Sequence, residues 1–426
     1  MKFYEYLYQL YFIFKMMQNI SNLVIFDLAF TGHHSTYIRY LIEYWIQQKK
    51  SENLHLVVSP EFLKRYPDIL KLAARAKNTN IAIQSIELSE YSRYCACKVN
   101  KQFLKRVWYE FNLVYKYTKK LDASHCMLMY FDHFQVPLAF GLKAFCPISG
   151  IYFRPAFHYS HFQEQSFNWK ERLKHYAQKR LLDRALRNSC IQNLFVLDRF
   201  SVPYIQQLVA NTNIKQLADP VKLGIIDSQK LQEFRDNLGV EGSRKIFLQF
   251  GSLNFRKGIY QLLEAIHLLP NEIGNQVCFL LVGKAVESEK SKIEFELAKL
   301  SQSSPVQIIR CNEFVSEEEV PYYFNSADYV LAPYQKHVGM SGLVIQAAAA
   351  KKPILASNYG LIGQLVIEHK LGLTCNSASP LSISQCVQEA LKTPKSNLID
   401  FDKMQRFAQQ NSSDIFAKQI FDSICI

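Results

Sequence analysis

Apolar runs of strand length alternate along the chain with longer segments whose apolar residues recur every three to four positions. The first pattern fits strands buried on both faces and the second fits helices that cover them, the signature of a parallel α/β sheet. Leu23–Phe30 reads as a first strand and Thr36–Gln48 as the amphipathic helix after it. Leu54–Ser59, Ile81–Ile86, Met127–Phe131, Ile148–Phe153 and Leu194–Leu197 read as later strands of the same sheet. A second series runs through Ile246–Phe250, Val277–Val282, Val306–Arg310, Tyr329–Ala332 and Pro353–Ala356, each followed by a helical pattern. A polar stretch between the series places a hinge near 215–243. The pattern predicts two doubly wound α/β domains, at 20–220 and 221–404. An extension covers 1–19, and a C-terminal helix at 405–426 is expected to pack back on the first domain.

Composition narrows the class without changing that picture. The 426 residues are 49% hydrophobic and 20% charged, which excludes a disordered chain and a disulfide-stapled miniprotein. No uncharged apolar run reaches the roughly 18 residues of a membrane-spanning helix. Most of the 10 cysteines lie scattered in strand-like contexts, and only Cys95 and Cys97 are close-set, so buried free thiols of a reducing cytoplasm are expected. The aromatic run Phe3–Phe14 contains Glu5 and Gln9 and lacks a cleavage site, unlike a signal peptide. Translation starting at Met16 or Met17, or an interfacial segment, would account for it.

Charge separates the halves. Up to Pro220 there are 29 basic and 16 acidic residues, an excess equal to the whole chain's +13; the remainder holds 21 of each. Such asymmetry points to an anionic partner for the first half.

In doubly wound sheets the residues just after the strands carry the chemistry. Gly251-Ser252-Leu253-Asn254-Phe255-Arg256-Lys257-Gly258 follows the first strand of the second series and opens a helix. Its glycines permit a tight turn, and Arg256 and Lys257 place cations where a phosphate could sit at a helix N-terminus. An ordinary strand–helix loop with two solvated bases would read the same way. Gly339-Met340-Ser341-Gly342-Leu343-Val344-Ile345-Gln346 then feeds an alanine-rich helix, a natural anion cradle and equally a helix packed close to its sheet.

These segments, with Leu281-Val282-Gly283-Lys284, Glu313-Phe314-Val315-Ser316, Ala327-Asp328-Tyr329-Val330-Leu331-Ala332-Pro333 and Lys352-Pro353-Ile354-Leu355-Ala356-Ser357, resemble the donor-binding domain of retaining GT-B glycosyltransferases of the glycosyltransferase family 4 type. The likeness covers roughly 244–376. It implies a GT-B architecture, two Rossmann-like domains facing a cleft, with a nucleotide-diphosphate sugar as donor and no cofactor. By resemblance, Lys257 neutralises the diphosphate, with Gly251 and Arg256 beside it. The amides of Gly342 and Leu343, after Ser341, also contact it, and Phe314 and Val315 fall near the base pocket. The family's acidic pair falls here on Val338 and Gln346; Gln346 keeps a hydrogen-bonding amide for the ribose, whereas Val338 offers none. Ser252 replaces an arginine for which Arg256 can stand in.

In the first half the resemblance places a donor loop at Thr31-Gly32-His33-His34-Ser35, with Gly32 and His33 toward the donor and His34 toward the acceptor. A surface loop with two exposed histidines is the plainer reading. A catalytic histidine is implied after the fourth strand, where Asp132 or His133 could occupy the place. Arg154 and His158, after the fifth strand, suit an anionic acceptor.

Lys101–Lys120 mixes six basic residues with Trp108, Tyr109, Phe111, Tyr115 and Tyr117, and Lys170–Arg187 adds seven more bases. Such helices are often solvated faces around a core stripe, and they also suit an anionic membrane surface. No nucleic-acid motif is present, and no nucleic-acid partner is expected. The leading expectation is sugar transfer with retention, assisted by the departing diphosphate, without a protein nucleophile or a metal. The acceptor would be a glycan, a lipid-linked or a small molecule, and the location cytoplasmic or peripheral on the membrane. The alternative is a non-catalytic GT-B protein that binds a nucleotide sugar or glycan and regulates a partner.

Overall fold

The computed structural model describes residues 21–75, 80–153, 155, 157, 169–208, 212–224, 226–313, 315–337 and 339–424. They form two compact units. The first is built from residues up to Leu217 together with Phe416 onward, and the second from Ala218–Ile415.

The first unit holds a seven-stranded parallel sheet of β1 (Asn22–Asp27), β2 (Asn53–Val58), β3 (Ile81–Ser85), β4 (His125–Leu128), β5 (Ile148–Tyr152), β6 (Ile191–Val196) and β7 (Asn213–Gln216), in the order β3-β2-β1-β4-β5-β6-β7. The register sets Asn22 beside Asn53 and Leu23 beside His125, so β1 lies between β2 and β4. Helices on both faces leave the central strands almost wholly buried, and for this reason they read as continuous apolar runs. Trp45, on the first helix His34–Gln48, is fully buried and meets Phe421 of the C-terminal helix Ser413–Ile424 edge-on at 4.9 Å. Burying a ring of this size contributes roughly 2–3 kcal/mol.

The second unit holds a six-stranded parallel sheet of β8 (Lys245–Phe250), β9 (Val277–Val282), β10 (Gln307–Cys311), β11 (Tyr329–Ala332), β12 (Ile354–Ser357) and β13 (Gly372–Cys375), in the order β10-β9-β8-β11-β12-β13. Phe247 on β8 stacks against Phe279 on β9 and Tyr329 on β11, tying the three central strands together. In each sheet the order of strand addition reverses beside the first strand, at β1/β4 and at β8/β11. In open α/β sheets that reversal opens the crevice where ligands bind.

Two strands, β7 and β13, were not expected from the pattern, and His34 belongs to the first helix instead of the loop before it. The nine described cysteines are unpaired thiols, and no helix among the described residues is long and apolar enough to cross a membrane. The Phe3–Phe14 run lies outside the described residues.

Candidate functional site

In the second unit the turn after β8 is set by sequence. Gly251 takes φ +101°, the Asn254 side chain accepts the Lys257 N–H at 3.0 Å, and Gly258 takes φ +76° before the Ile259–His267 helix. Gln249 on β8 donates to the Lys257 carbonyl at 3.0 Å, which fastens the turn to the sheet. The Lys257 ammonium lies over Gly251, where a β-carbon would sit 3.5 Å from Nζ.

Across the switch point, the segment after β11 meets this turn. The Gln335 N–H donates to the Arg256 carbonyl at 2.9 Å. The Tyr334 hydroxyl accepts from Lys257 Nζ and lies 3.0 Å from Ser341 Oγ. Ser341 is the N-cap of the Gly342–Ala349 helix, so Gly342 and Leu343 open its first turn. The structure therefore brings Gly251, Lys257, Ser341, Gly342 and Leu343 together around one residue, Tyr334, that the sequence reading did not single out. Arg256 joins the same rim through a contact at 3.3 Å between its guanidinium and His337 Nδ1. Burial, with Arg256 next to it, pushes the His337 imidazole down to about 4, so this histidine is neutral at physiological pH. No carboxylate forms an ion pair with Arg256 or Lys257 among the described residues, which leaves both cations for an anion.

Other predicted donor contacts lie apart. Val315 follows β10, two strands from β8. Gln346 lines a pocket of about 330 Å³ with Lys222, Asn325, Ala349, Lys351 and Gln409. Phe314, Val338, Arg154 and His158 lie outside the described residues.

In the first unit the residues after β1, β4 and β5 form a second cluster. Asp27, the last residue of β1, accepts the Ala29 N–H at 2.9 Å through one oxygen and meets His34 Nδ1 at 2.6 Å through the other. Both side chains are buried. Burial acts to lower the His34 imidazole, but the Asp27 carboxylate outweighs it and holds the group above its ordinary value. His33 stacks between His34 at 4.7 Å and Phe153 at 4.6 Å, after Gly32 has turned the chain at φ +74°. Tyr130 extends the layer to Phe153 and to His133. The two residues left in competition by sequence take different positions. Asp132 accepts the Phe153 N–H at 3.0 Å and braces the end of β5. His133 turns toward the Phe103–Lys120 helix, with Nδ1 3.2 Å from the buried Glu110 and Nε2 3.4 Å from Arg106.

No group of three or more potential metal ligands occurs among the described residues. Asp400 and Asp402 stand two apart, as some metal-binding carboxylates do, but Asp400 caps the Phe401–Gln410 helix by accepting the Lys403 N–H.

The two parallel-sheet units define a GT-B fold, that of glycosyltransferases. Within it, residues 230–411 match the family model of glycosyl transferases group 1. A curated relative, lipopolysaccharide 1,2-N-acetylglucosaminetransferase of Salmonella typhimurium, is 24% identical over 194 residues; the match covers 45% of this chain and 48% of the relative. The chain thus matches about half the length of that relative. Among solved structures, Anabaena HepE in complex with UDP and glucose is similar at a TM-score of 0.62 and 14% identity, over 95% of this chain and 99% of that one. Sucrose-phosphate synthase of Thermosynechococcus elongatus is similar at 0.65 and 16%, over 94% and 98%. WaaG, a glycosyltransferase of lipopolysaccharide biosynthesis, is similar at 0.59 and 15%, over 95% and 99%.

Proposed function

We propose that this chain is a glycosyltransferase that moves a sugar from a nucleotide-diphosphate sugar to a glycan or lipid-linked acceptor with retention of configuration, at a membrane surface. The observation that carries the reading is the junction at β8/β11, where the Lys257 ammonium and the start of the Gly342–Ala349 helix meet through Tyr334. A cation beside open helix amides suits a diphosphate, and the same groups stabilise it as it departs, when its charge grows. UDP is the favoured carrier, since HepE is similar over nearly its whole length and binds UDP and UDP-glucose. The lipopolysaccharide enzymes among the relatives favour a lipid-linked glycan as acceptor.

Within this reading, His133 serves the reacting sugar and His34 the acceptor. Glu110 holds His133 by its Nδ1 edge. A basic first half with exposed Trp169, Leu173 and Tyr176 supports the membrane location. Retention would follow from attack on the face the diphosphate leaves, the diphosphate oxygen taking the acceptor proton.

A panel of nucleotide sugars tested by thermal shift and by transfer to lipid-linked glycans checks the proposal. A true donor stabilises the folded protein by mass action. Lys257→Ala is expected to weaken that stabilisation sharply, leaving measurable nucleotide binding, and to abolish transfer. His133→Ala is expected to keep the stabilisation and lose at least about a hundredfold in turnover. Product of inverted anomeric configuration would overturn the stereochemical part, and a wild-type protein that no nucleotide sugar stabilises would overturn the whole.

A further inference from the structure

Tyr334 belongs to none of the motifs by which the second unit resembles a donor-binding domain. It follows β11, is 1% exposed, and is held by its backbone as well as its ring. Its carbonyl accepts the Ser377 hydroxyl at 2.9 Å, and the neighbouring Gln335 side chain donates to the Ser377 carbonyl at 2.6 Å. The Lys257 ammonium sits 4.1 Å from the ring centroid and also donates to the hydroxyl. A lysine held by both the face and the oxygen of one buried ring has lost most of the rotamer freedom that an exposed lysine keeps.

The other side of the hydroxyl shows what that order serves. Serine at an N-cap ordinarily turns its oxygen onto the N–H groups of the first helical turn. Ser341 makes no such bond; its hydroxyl lies 3.0 Å from Tyr334 instead. The helix forgoes a stabilising cap, and among the described residues no side chain accepts from its Gly342 or Leu343 N–H. One tyrosine oxygen thus joins the cation to the N-cap of a helix whose Gly342 and Leu343 amides no side chain caps.

We infer that Tyr334 is a positioning residue for the diphosphate: its hydroxyl, anchored by Ser341, holds the Lys257 ammonium beside the N-terminus of the Gly342–Ala349 helix, so that both meet the same anion. This rests on the donor-binding reading above, and it assigns the tyrosine a role through the lysine, not a contact with the sugar.

Tyr334→Phe keeps the ring and deletes the oxygen. The first measurement needs no nucleotide: isotope-coded acetylation of the purified full chain, read by peptide mass spectrometry. Lys257 is expected to react several-fold faster in Tyr334→Phe than in wild type, with Lys351 unchanged as an internal standard. Ser341→Ala, which removes only the anchor, should shift Lys257 in the same direction by less. Equal Lys257 rates in all three proteins overturn the inference. The second measurement is UDP binding by calorimetry, where Tyr334→Phe is expected to bind about tenfold more weakly, the loss of one charge-assisted hydrogen bond. The same substitution made in Lys257→Ala should have no further effect; equal losses in both backgrounds overturn the inference, since the tyrosine would then act without the lysine. If wild type binds no UDP, UDP falls as the carrier, and the acetylation rates still decide whether Tyr334 holds Lys257.

Discussion

The α-carbon of Gly258 faces the carbonyl oxygen of Pro333 so closely that a β-carbon there would lie 2.0 Å from it. This contact seats the Lys257 turn against the segment that carries Tyr334, and only glycine permits it, because φ is also +76°. Gly258→Ala is therefore expected to destabilise the second unit by at least about 2 kcal/mol, from left-handed strain together with a forced displacement of one loop. Gly242 supplies the control: its φ is +56°, but its β-carbon would enter open space. Gly242→Ala should cost only the backbone strain, about 1 kcal/mol. Urea denaturation of both variants checks the difference, and equal losses would mean that the two loops are not seated on each other.

Asp27 and His34 make the charge state of the first cluster depend on pH in a direction that can be worked out. The Asp27 carboxylate holds the imidazole above its ordinary value despite burial. A raised folded-state value means that this pair's stabilisation is full below about pH 6.5, the unfolded value, and is lost as pH rises through the folded one. In Asp27→Asn the carboxylate is gone and burial remains, so the imidazole should titrate below its ordinary value. The dependence then reverses, with stability lost as pH falls below about 6.5. Histidine titration by NMR, with urea midpoints across pH 5–8, checks both signs. An unmoved His34 titration in Asp27→Asn would show that the carboxylate does not control it.

Much of the fold was legible because parallel strands buried on both faces leave unbroken apolar runs, as in Val277–Val282. The strands that escaped, β7 and β13, are edge strands of four residues; Asn213, Lys215 and Gln216 are exposed, and such a strand carries no apolar run. The turns that meet at β8/β11 were legible for a different reason. Their lysine, glycines and serine lie where strand passes into helix, and there residue type follows backbone geometry and chemistry more than packing. The residues that escaped contribute to core and site together. Asp27 sits inside the run LVIFDLAF and reads as strand, Glu110 reads as one charge on a basic helix face, and Tyr334 reads as an aromatic after a strand. Each is buried, and each acts by what its polar end touches, His34, His133 or Lys257, which spacing along the chain does not reveal.

The basic half also makes a prediction about lipid. On the Trp169–Leu186 helix, Trp169, Leu173 and Tyr176 are 70%, 59% and 62% exposed, and their spacing of four and three puts them on one face. Lys170, Arg172, Lys174, Lys179 and Arg180 interleave with them. The short Gln135–Ala139 helix packs against both this helix and the basic Phe103–Lys120 helix. It is followed by Phe140, 70% exposed and 6.0 Å from Trp108, while Phe103 and Leu104 stand exposed at the start of the second basic helix. Exposed rings among cations suit the headgroup region of an anionic bilayer, where each basic residue near the surface contributes about 1 kcal/mol and apolar side chains add their burial. Cosedimentation with vesicles containing phosphatidylglycerol is expected to exceed that with phosphatidylcholine alone by at least about tenfold, and to weaken as salt rises to 0.5 M. The variant with Trp169, Leu173 and Tyr176 all replaced by alanine should lose most of this binding while keeping its urea midpoint, since the three side chains are exposed in the fold. Equal binding to the two vesicle types, or full binding by the triple variant, would mean that these helices are a solvated face and that the charge of the first half serves another partner.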